Sequence, residues 1–336
     1  MIVMPFPGVL WYNGLMNINR RNFLGLGAIA LANAGCTSLA STAAVHDPAL
    51  SVFLSDIHVA GKGIKTRWGE QPDYQNPLFE KAVDQILAMR PLPQRVMIFG
   101  DIALWFGWHQ DYEASLPGIN RLKAVGIEVF LTMGNHDKRD VFLRYHPTYA
   151  KTSPVPGRIV SKIDLGPADL LLLDSLNEGP GGEGTNNTVS GIFDAAQQDW
   201  LRETAKAATR PFFCGTHHPP SELCIGKDNV LGFLDKNAPL FAGWIFGHNH
   251  RWYKQWHHVG YSKRHVLRSL CLPSTGWWGD IGLATCRTTA TDMTVSLVEN
   301  DFFFPRPLQP GESRPQEWDD IMAENRGDSC RFRFPG

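Results

Sequence analysis

The sequence lacks an excess of either charge: 32 lysines and arginines stand against 33 aspartates and glutamates, which leaves a formal net charge of −1. Domains that bind nucleic acid, and proteins that adhere to anionic membranes, usually carry a clear basic surplus. The balance therefore argues against both kinds of partner. Any attraction of an anionic substrate has to be local. The chain also lacks an apolar run of roughly 20 residues, the length that a transmembrane helix needs.

Cysteine is scarce, and the spacing of the six cysteines fits no zinc finger or zinc ribbon. Cys214 and Cys286 lie in strand-like runs and are expected to be buried thiols. One or two disulfides elsewhere stay an alternative in an oxidising compartment. The sequence also lacks a G-x-S-x-G nucleophile elbow and a P-loop. Hydrolysis through a serine nucleophile or a P-loop is therefore not supported.

The N-terminal segment has the pattern of an export signal. The pair Arg20 and Arg21 precedes a short, weakly hydrophobic run that ends at Leu31. This order is typical of signals that the twin-arginine export machinery reads. We therefore expect residues 1–47 to be signal and linker, and residues 48–336 to be one catalytic domain that is exported to the periplasm or the cell envelope.

Three details of the same segment bear on this expectation. Cys36 follows a glycine, as at a lipoprotein cleavage site, so a lipid anchor at Cys36 is one alternative and ordinary cleavage after Ala34 is another. Met16 is a candidate start, because it would place the arginines four and five residues into the chain. The run 25–30 matches a dinucleotide-binding fingerprint, but it follows no predicted strand and is rejected.

Strand-like apolar runs alternate with amphipathic segments along most of the chain. Helices are predicted over 78–89, 112–125 and 194–208, with Asp194 as the N-cap of the third. After residue 260 the pattern changes to strands with little helix between them. Parallel βα units followed by further strands predict two sheets packed face to face, with helices outside.

Five short polar clusters stand at the ends of predicted strands, where open α/β sheets place their chemistry. In chain order they are Asp56-Ile57-His58, Gly100-Asp101, Gly134-Asn135-His136-Asp137, His217-His218 and Gly247-His248-Asn249-His250. Together they supply seven candidate metal ligands: Asp56, His58, Asp101, Asn135, His217, His248 and His250. Seven donors are enough for two divalent ions. Mixed nitrogen and oxygen donors suit Mn, Fe or Zn better than Ca or Mg.

These motifs, in this order, resemble those of the calcineurin-like metallophosphoesterase superfamily, and most closely its single-domain class that includes cyclic-nucleotide phosphodiesterases. The resemblance implies a four-layer α/β/β/α sandwich of two mixed sheets with a dinuclear metal centre. It implies a first ion on Asp56, His58 and His250, a second ion on Asn135, His217 and His248, and Asp101 between the two.

The resemblance also implies a reaction on a small phosphate-ester substrate. A hydroxide that bridges the ions would attack phosphorus in line, and His136 would contact the phosphate and protonate the leaving oxygen. Asp137 is expected to orient or charge a neighbouring histidine. Leu104 stands where purple acid phosphatases carry an iron-binding tyrosine. A centre with tyrosinate bound to iron is therefore not expected.

Several alternatives stay open from the sequence. The enzyme is either a phosphodiesterase, which a single domain with an open site favours, or a nucleotide or sugar-phosphate monoesterase. A non-catalytic metal-binding scaffold is the alternative of another class, although such a protein tends to lose the catalytic histidine or several ligands. His218 either contacts substrate or points away. Trp105, Trp108, Trp277 and Trp278 either form an apolar wall for a nucleobase or aryl group, or simply pack.

Overall fold

The computed structural model describes residues 44–67, 69–258, 266–303, 311, 313 and 316–335. The predicted export signal, the lipid-anchor candidate Cys36 and the candidate start Met16 lie outside the described residues. Within them, every helix is too short or too polar to span a bilayer.

The described chain folds into short strands and helices that alternate up to residue 246. The strands are, in chain order, β1 (His46–Leu54), β2 (Lys65–Thr66), β3 (Gly69–Glu70), β4 (Leu92–Phe99), β5 (Glu128–Thr132), β6 (Ser161–Asp164), β7 (Asp169–Leu172), β8 (Phe212–Thr216), β9 (Cys224–Ile225), β10 (Asp228–Asn229), β11 (Phe241–Phe246), β12 (Tyr253–His258), β13 (Val266–Cys271), β14 (Gly279–Thr288), β15 (Asp292–Phe303) and β16 (Ser329–Arg333). The helices are α1 (Asn76–Ala88), α2 (His109–Ala124), α3 (Arg139–Tyr145), α4 (Tyr149–Thr152), α5 (Ala195–Lys206), α6 (Val230–Asn237) and α7 (Gln316–Asn325).

Twelve of these strands form two six-stranded sheets. The first has the order β16-β15-β14-β1-β4-β5, and the second has the order β12-β13-β11-β8-β7-β6. In the first sheet β1, β4 and β5 run parallel, and β14, β15 and β16 join antiparallel. In the second sheet β7, β8, β11 and β13 run parallel, and β6 and β12 are antiparallel edge strands. Both sheets are therefore mixed.

The alternation of side chains along the strands assigns the layers. Val52 of β1 and Val96 of β4 belong to an apolar cluster that includes side chains of α1 and α2. Their neighbours Phe53 and Met97 belong to a second cluster, which also contains Ile245 of the second sheet. Because successive side chains of a strand point to opposite faces, the second cluster lies between the sheets. A third cluster packs the second sheet against α5 and α6. The predicted four-layer α/β/β/α sandwich of two mixed sheets is confirmed.

The predicted local elements are confirmed with small shifts. Helices α1, α2 and α5 begin and end within three residues of the predicted bounds. Asp194 caps α5, since its carboxylate accepts a hydrogen bond from the backbone N–H of Gln197 at 2.9 Å. Strand β1 begins at His46, two residues before the predicted domain boundary, because its backbone pairs with β4 from His46 opposite Leu92 onward. Cys214 and Cys286 are buried free thiols, as predicted.

Asp111 on α2 is a buried carboxylate with an incomplete set of partners. Its Oδ1 accepts hydrogen bonds from the Gly61 backbone N–H and from Gln71 Nε2, both at 2.7 Å. Its Oδ2 has no hydrogen-bond partner among the described residues. Burial raises the pKa of Asp111 to about 7, since these hydrogen bonds offset only part of the lost hydration.

Substitution Asp111→Asn keeps the accepting oxygen and removes the buried charge. The folded carboxyl binds its proton more tightly than the unfolded one, so in the wild type this group makes stability fall as pH rises from about 4 to about 7. The loss amounts to about 1.4 kcal/mol for each unit of pKa difference. We expect the variant to lose the contribution of Asp111 to the fall of stability with pH. At pH 8 it should melt at or above the wild-type melting temperature. Thermal melts of both proteins between pH 4 and pH 8 measure this difference. The same dependence of melting temperature on pH in both proteins would contradict the expectation.

Candidate metal centre and active site

The five polar clusters lie at the carboxyl ends of parallel strands from both sheets. Those of the first sheet follow β1, β4 and β5, and those of the second follow β8 and β11. Because the two sheets pack face to face, these strand ends meet at one edge of the sandwich. Residues 56 and 250, nearly 200 positions apart in the chain, are brought into contact there: Asp56 Oδ1 lies 3.0 Å from His250 Nε2.

The candidate ligands form two adjacent groups of donor atoms. The donor atoms in each group lie within 4.8 Å of one another. The first group consists of Asp56, His58, Asp101 and His250, and the second of His217, His218 and His248. Asn135 joins the second group through its Oδ1, which lies 3.1 Å from His217 Nε2. All seven residues predicted as ligands are therefore brought together.

Asp101 lies between the two groups. Its Oδ2 is 3.2 Å from His217 Nε2 in the second group and 3.7 Å from His58 Nε2 in the first. The side chain is almost completely buried. One carboxylate can thus face a cation in either group, which is the position that a bridging ligand requires.

The histidine tautomers test whether a cation fits. Three rings have Nδ1 hydrogen-bonded to a backbone carbonyl oxygen: His58 to Leu104 at 3.0 Å, His217 to Phe99 at 2.9 Å and His250 to Trp278 at 3.1 Å. A carbonyl oxygen only accepts, so Nδ1 carries the proton and Nε2 of the neutral ring presents a lone pair. When both rings are neutral, the Nε2 atoms of His58 and His250 direct their lone pairs at each other across 3.1 Å. A cation relieves this repulsion by accepting both lone pairs, so the donor set fits a divalent metal.

The charges of the site lead to the same conclusion. Burial alone would raise the pKa of Asp56 and of Asp101, but neighbouring histidines outweigh it and hold both below their usual range. Burial lowers the pKa of His58 to about 3 despite the nearby charge of Asp101. The carboxylates also outweigh the burial of His217 and raise its pKa to about 9, so in the absence of a cation a proton takes its place. Buried carboxylates of this kind require a positive partner.

Backbone strain is concentrated at the candidate ligands. Among the described residues, the non-glycine positions with positive φ are Asp56 (52°), His58 (44°), Asp101 (48°), His248 (70°) and His250 (52°). The left-handed conformation costs roughly 1–2 kcal/mol for a residue with a Cβ atom. Such strain persists only where the surrounding structure enforces it, and it is typical of functional sites.

Two motif glycines are required by close approach to the carboxylates. A Cβ atom on Gly134 would overlap the Oδ1 and backbone nitrogen of Asp101. A Cβ atom on Gly247 would overlap the hydroxyl of Ser55 and lie 2.6 Å from Asp56 Oδ2. The loops can therefore approach the carboxylates this closely only without a side chain at these positions.

His136, the predicted catalytic residue, lies beside the donor groups and reaches the open cavity. Its backbone N–H donates to Asp101 Oδ1 at 2.8 Å, and its ring Nδ1 donates to the Trp105 carbonyl oxygen at 2.8 Å. Its side chain is 28% exposed, whereas that of Asp101 is 2% exposed. With Nδ1 held by a carbonyl, Nε2 is the nitrogen available to a substrate.

Asp137 does not orient a histidine, so that prediction is wrong. Its carboxylate accepts hydrogen bonds from the backbone N–H groups of Gly134 at 2.9 Å and of Ile102 and Ala103 at 3.1 Å. Burial, reinforced by the charge of Asp101, raises the pKa of Asp137 to about 7. Asp137 therefore ties the loop after β5 to the loop after β4. Its place next to His136 in the chain does not direct its side chain toward that ring.

Asn187 is a positioning residue that the sequence analysis missed. Its Nδ2 donates to the carbonyl oxygens of Asn135 at 2.9 Å and Asp137 at 2.7 Å, and its Oδ1 accepts from Lys138 Nζ at 2.6 Å. Asn187 thus fixes the loop that carries His136. No local motif in the sequence marks Asn187.

His218 lies in the second donor group but away from the cavity. Its Nδ1 is 2.8 Å from the Ser175 hydroxyl, which also accepts the His218 backbone N–H at 3.2 Å. The ring is fully buried, packs beneath Gly191 and is absent from the described residues that line the cavity. The sequence left open whether His218 contacts substrate or points away from it. The structure favours the second alternative.

Residues 51–252 match the family model of the calcineurin-like phosphoesterases, which covers 202 of the 336 residues. The chain belongs to this family. A probable cyclic nucleotide phosphodiesterase of Rhodopseudomonas palustris (strain ATCC BAA-98 / CGA009) is 30% identical to it over 293 residues, which is 85% of this chain and 93% of the relative. This calcineurin-like phosphoesterase is therefore a metal-dependent phosphoric ester hydrolase.

Solved structures of low sequence identity also align with most of this phosphoesterase. A putative 5′-nucleotidase of Staphylococcus aureus is 13% identical with a TM-score of 0.40, and the match covers 82% of this chain and 57% of that one. A protein of Thermus thermophilus is 13% identical with a TM-score of 0.43, covering 70% and 92%. A single mutant of Vps29 from Entamoeba histolytica is 13% identical with a TM-score of 0.36, covering 85% and 99%. The chain thus spans just over half the length of the nucleotidase.

Substitution Gly134→Ala tests the packing of this loop against Asp101. The added Cβ atom would overlap the carboxylate, so we expect the variant to lose most of its bound metal and at least about tenfold of its activity, as ligand-supporting changes do. Gly182→Ala is the matched control, because a Cβ atom there meets no atom within 4 Å. Elemental analysis of both purified variants measures the effect. Equal metal content in the two would show that the close approach is unimportant.

Proposed function

We propose that this phosphoesterase is an exported enzyme that binds two divalent cations, Mn, Fe or Zn, and hydrolyses small phosphodiesters. In this proposal Asp56, His58 and His250 hold the first cation, Asn135, His217 and His248 hold the second, and Asp101 contacts both. The observation that carries it is the position of Asp101 Oδ2, which faces both donor groups at 3.2 and 3.7 Å. When bound, two such cations neutralise the phosphoryl oxygens and lower the pKa of the attacking water.

His136 serves as the general acid in this proposal. The Trp105 carbonyl fixes the ring through Nδ1, so a second proton on Nε2 points away from that carbonyl and can be donated to the leaving oxygen. The hydrogen bond from the His136 backbone to Asp101 keeps the ring beside the proposed bridging carboxylate. Asn187 holds the same loop from the other side through the carbonyl oxygen of Asn135. The acid is thereby fixed relative to the cations.

The charge of the cavity wall favours diesters over monoesters. The described residues that line the cavity include no lysine or arginine. A phosphomonoester carries a second negative charge near neutral pH, and enzymes usually meet such charge with cationic side chains. A diester carries one charge, which the cations can neutralise. The similarity to a probable cyclic nucleotide phosphodiesterase also supports this choice.

Two alternatives give different experimental results. A nucleotide or sugar-phosphate monoesterase would cleave monoesters faster than diesters under the same metal loading. A metal-binding scaffold would bind cations and cleave neither. The presence of His136 beside seven converging donors argues against the scaffold.

The acid role of His136 predicts a dependence on the leaving group. We expect His136→Ala to lower kcat by about 100-fold to 10,000-fold for diesters with an alkyl leaving group, because general acid catalysis contributes this much. The loss should be much smaller with a nitrophenyl leaving group, which departs without a proton. Metal content should stay at the wild-type level. Steady-state kinetics with Mn-loaded protein measure both effects.

His257→Ala is the matched control, because this ring lies on β12 and hydrogen-bonds the Ser269 hydroxyl outside the cavity. Equal losses with alkyl and nitrophenyl leaving groups would rule out the acid role. Absence of any phosphodiester hydrolysis by the Mn-, Fe- and Zn-loaded wild type would refute the proposed function itself.

The proposal of export rests on the sequence pattern around Arg20 and Arg21. After export the signal would be removed either by ordinary cleavage after Ala34 or by cleavage before Cys36 with attachment of a lipid anchor there. We expect replacement of both arginines by lysine to retain the protein in the cytoplasm, because the twin-arginine machinery reads the pair itself. Cell fractionation followed by immunodetection measures the distribution. The wild-type chain in a host without twin-arginine translocase is the control, and export of the double variant at the wild-type level would contradict the prediction.

A further inference from the structure

Most of the cavity above the donor groups has no role in the proposed reaction. Its volume is about 740 Å³, within the range of small-molecule sites and far more than one phosphate group fills. The donor groups form its floor. Its walls are largely apolar and aromatic, and they are formed by Trp105, Phe106, Val189, Trp277 and Trp278. This composition indicates a site for the organic part of the substrate.

The indoles lie directly beside the rings of the candidate ligands. Trp277 meets His58 edge to face with ring centroids 5.4 Å apart, and Trp278 lies 4.5 Å from the His250 ring. Trp105 meets Trp277 at 6.0 Å with an interplanar angle of 62°. Trp105 and Trp277 therefore form a corner of two indoles at the edge of the first donor group. Both side chains are only partly buried, so their surfaces are open to the cavity.

The proposed acid His136 lies next to this corner. The backbone carbonyl of Trp105 accepts the hydrogen bond that holds the His136 ring. The same residue therefore positions the proposed acid and contributes an indole to the corner. The His136 ring also lies 5.2 Å from the His58 ring, which Trp277 covers. A leaving oxygen that receives its proton from His136 consequently lies on the side of the site where Trp105 and Trp277 stand.

We propose that Trp105 and Trp277 form a stacking subsite for a flat aromatic ring, a nucleobase or an aryl group, on the leaving alcohol of a phosphodiester. This proposal rests on the proposed phosphodiesterase function. Indole faces bind flat rings by dispersion and quadrupole contact, and they do so with little regard to the identity of the ring. The amide side chains of Asn186 and Asn249, which also line the cavity, supply hydrogen bonds for a ring with polar edges.

The test compares three diesters on Mn-loaded protein. Cyclic AMP carries a nucleobase, bis(4-nitrophenyl) phosphate carries aryl groups, and glycerophosphoethanolamine carries no ring. We expect Trp105→Ala to lower kcat/KM for the ring-bearing diesters by about tenfold, in line with the effect of removing one stacking partner. For the ringless diester the change should be below about twofold, and Trp105→Phe should restore most of the loss. For each substrate, the kcat/KM of the variant is divided by that of the wild type. This ratio removes the differences in intrinsic reactivity among the three diesters.

Two controls separate stacking from general damage. Trp256→Ala removes an indole that is 53% exposed and lies outside the cavity, and it should leave all three substrates unaffected. Metal content of each variant should equal that of the wild type. A loss confined to cyclic AMP identifies a nucleobase as the occupant, and a loss confined to the aryl diester identifies an aryl group. An equal loss on the ringless diester would overturn the subsite.

A binding measurement distinguishes failure of the subsite from failure of the proposed function. Calorimetry with phenylphosphonate and methylphosphonate should give tighter binding of the phenyl ligand by about tenfold, and Trp105→Ala should abolish the difference. Equal affinities in the wild type would overturn the subsite even if diesters are hydrolysed. A ring-dependent affinity in a protein that cleaves none of the diesters would leave the subsite standing and refute the proposed function.

Discussion

The structure depends on the confinement of negative charge and lone pairs in one small buried volume. Asp56 and Asp101 are both buried there, and the Nε2 atoms of His58 and His250 face each other at 3.1 Å. Carbonyl partners hold Nδ1 of both rings, so each neutral ring directs its Nε2 lone pair into this volume. Buried carboxylates and opposed lone pairs are costly without a positive partner. The fold maintains this arrangement, including left-handed backbone at the candidate ligands, because a divalent cation makes it favourable.

The sandwich supplies the rigidity that such an arrangement needs. Each sheet is anchored on one face by helices and on the other by the apolar layer between the sheets. Parallel strands of both sheets direct their carboxyl ends to one edge, so short loops suffice to bring the donors together. Asp137 and Asn187 then connect these loops through their backbone groups. Small errors in loop position, which would disrupt metal binding, are thereby prevented.

The floor and the walls of the cavity differ in composition. Its floor consists of the charged and polar donors of the candidate metal centre. Its walls consist of indoles and amides contributed by loops, and they carry no cationic side chain among the described lining residues. A metal held by the floor would act on the phosphoryl group of a substrate, whereas the organic groups of the substrate would contact the walls. Family membership therefore establishes the reaction class, and the wall residues Trp105 and Trp277 are the place where substrate choice can differ.

The sequence predicted the layers and the candidate ligands because both follow from local patterns. The continuous apolar run through Val52 and Phe53 marks a strand that is buried on both faces, and Asp194 marks a helix start. The spaced motifs identified seven donors that meet in the structure. The sequence did not reveal the direction of Asp137, the burial of His218 or the role of Asn187. Each of these depends on contacts with segments distant in the chain.

What the sequence determined by itself was therefore the chemical inventory: which donors exist and which strand ends carry them. Only the tertiary structure decided which atoms face one another, because side-chain direction is set by backbone conformation and by neighbours that folding brings together. The positive φ angles of Asp56, Asp101 and His248 illustrate this, since no local propensity favours that conformation in aspartate or histidine strongly enough to impose it.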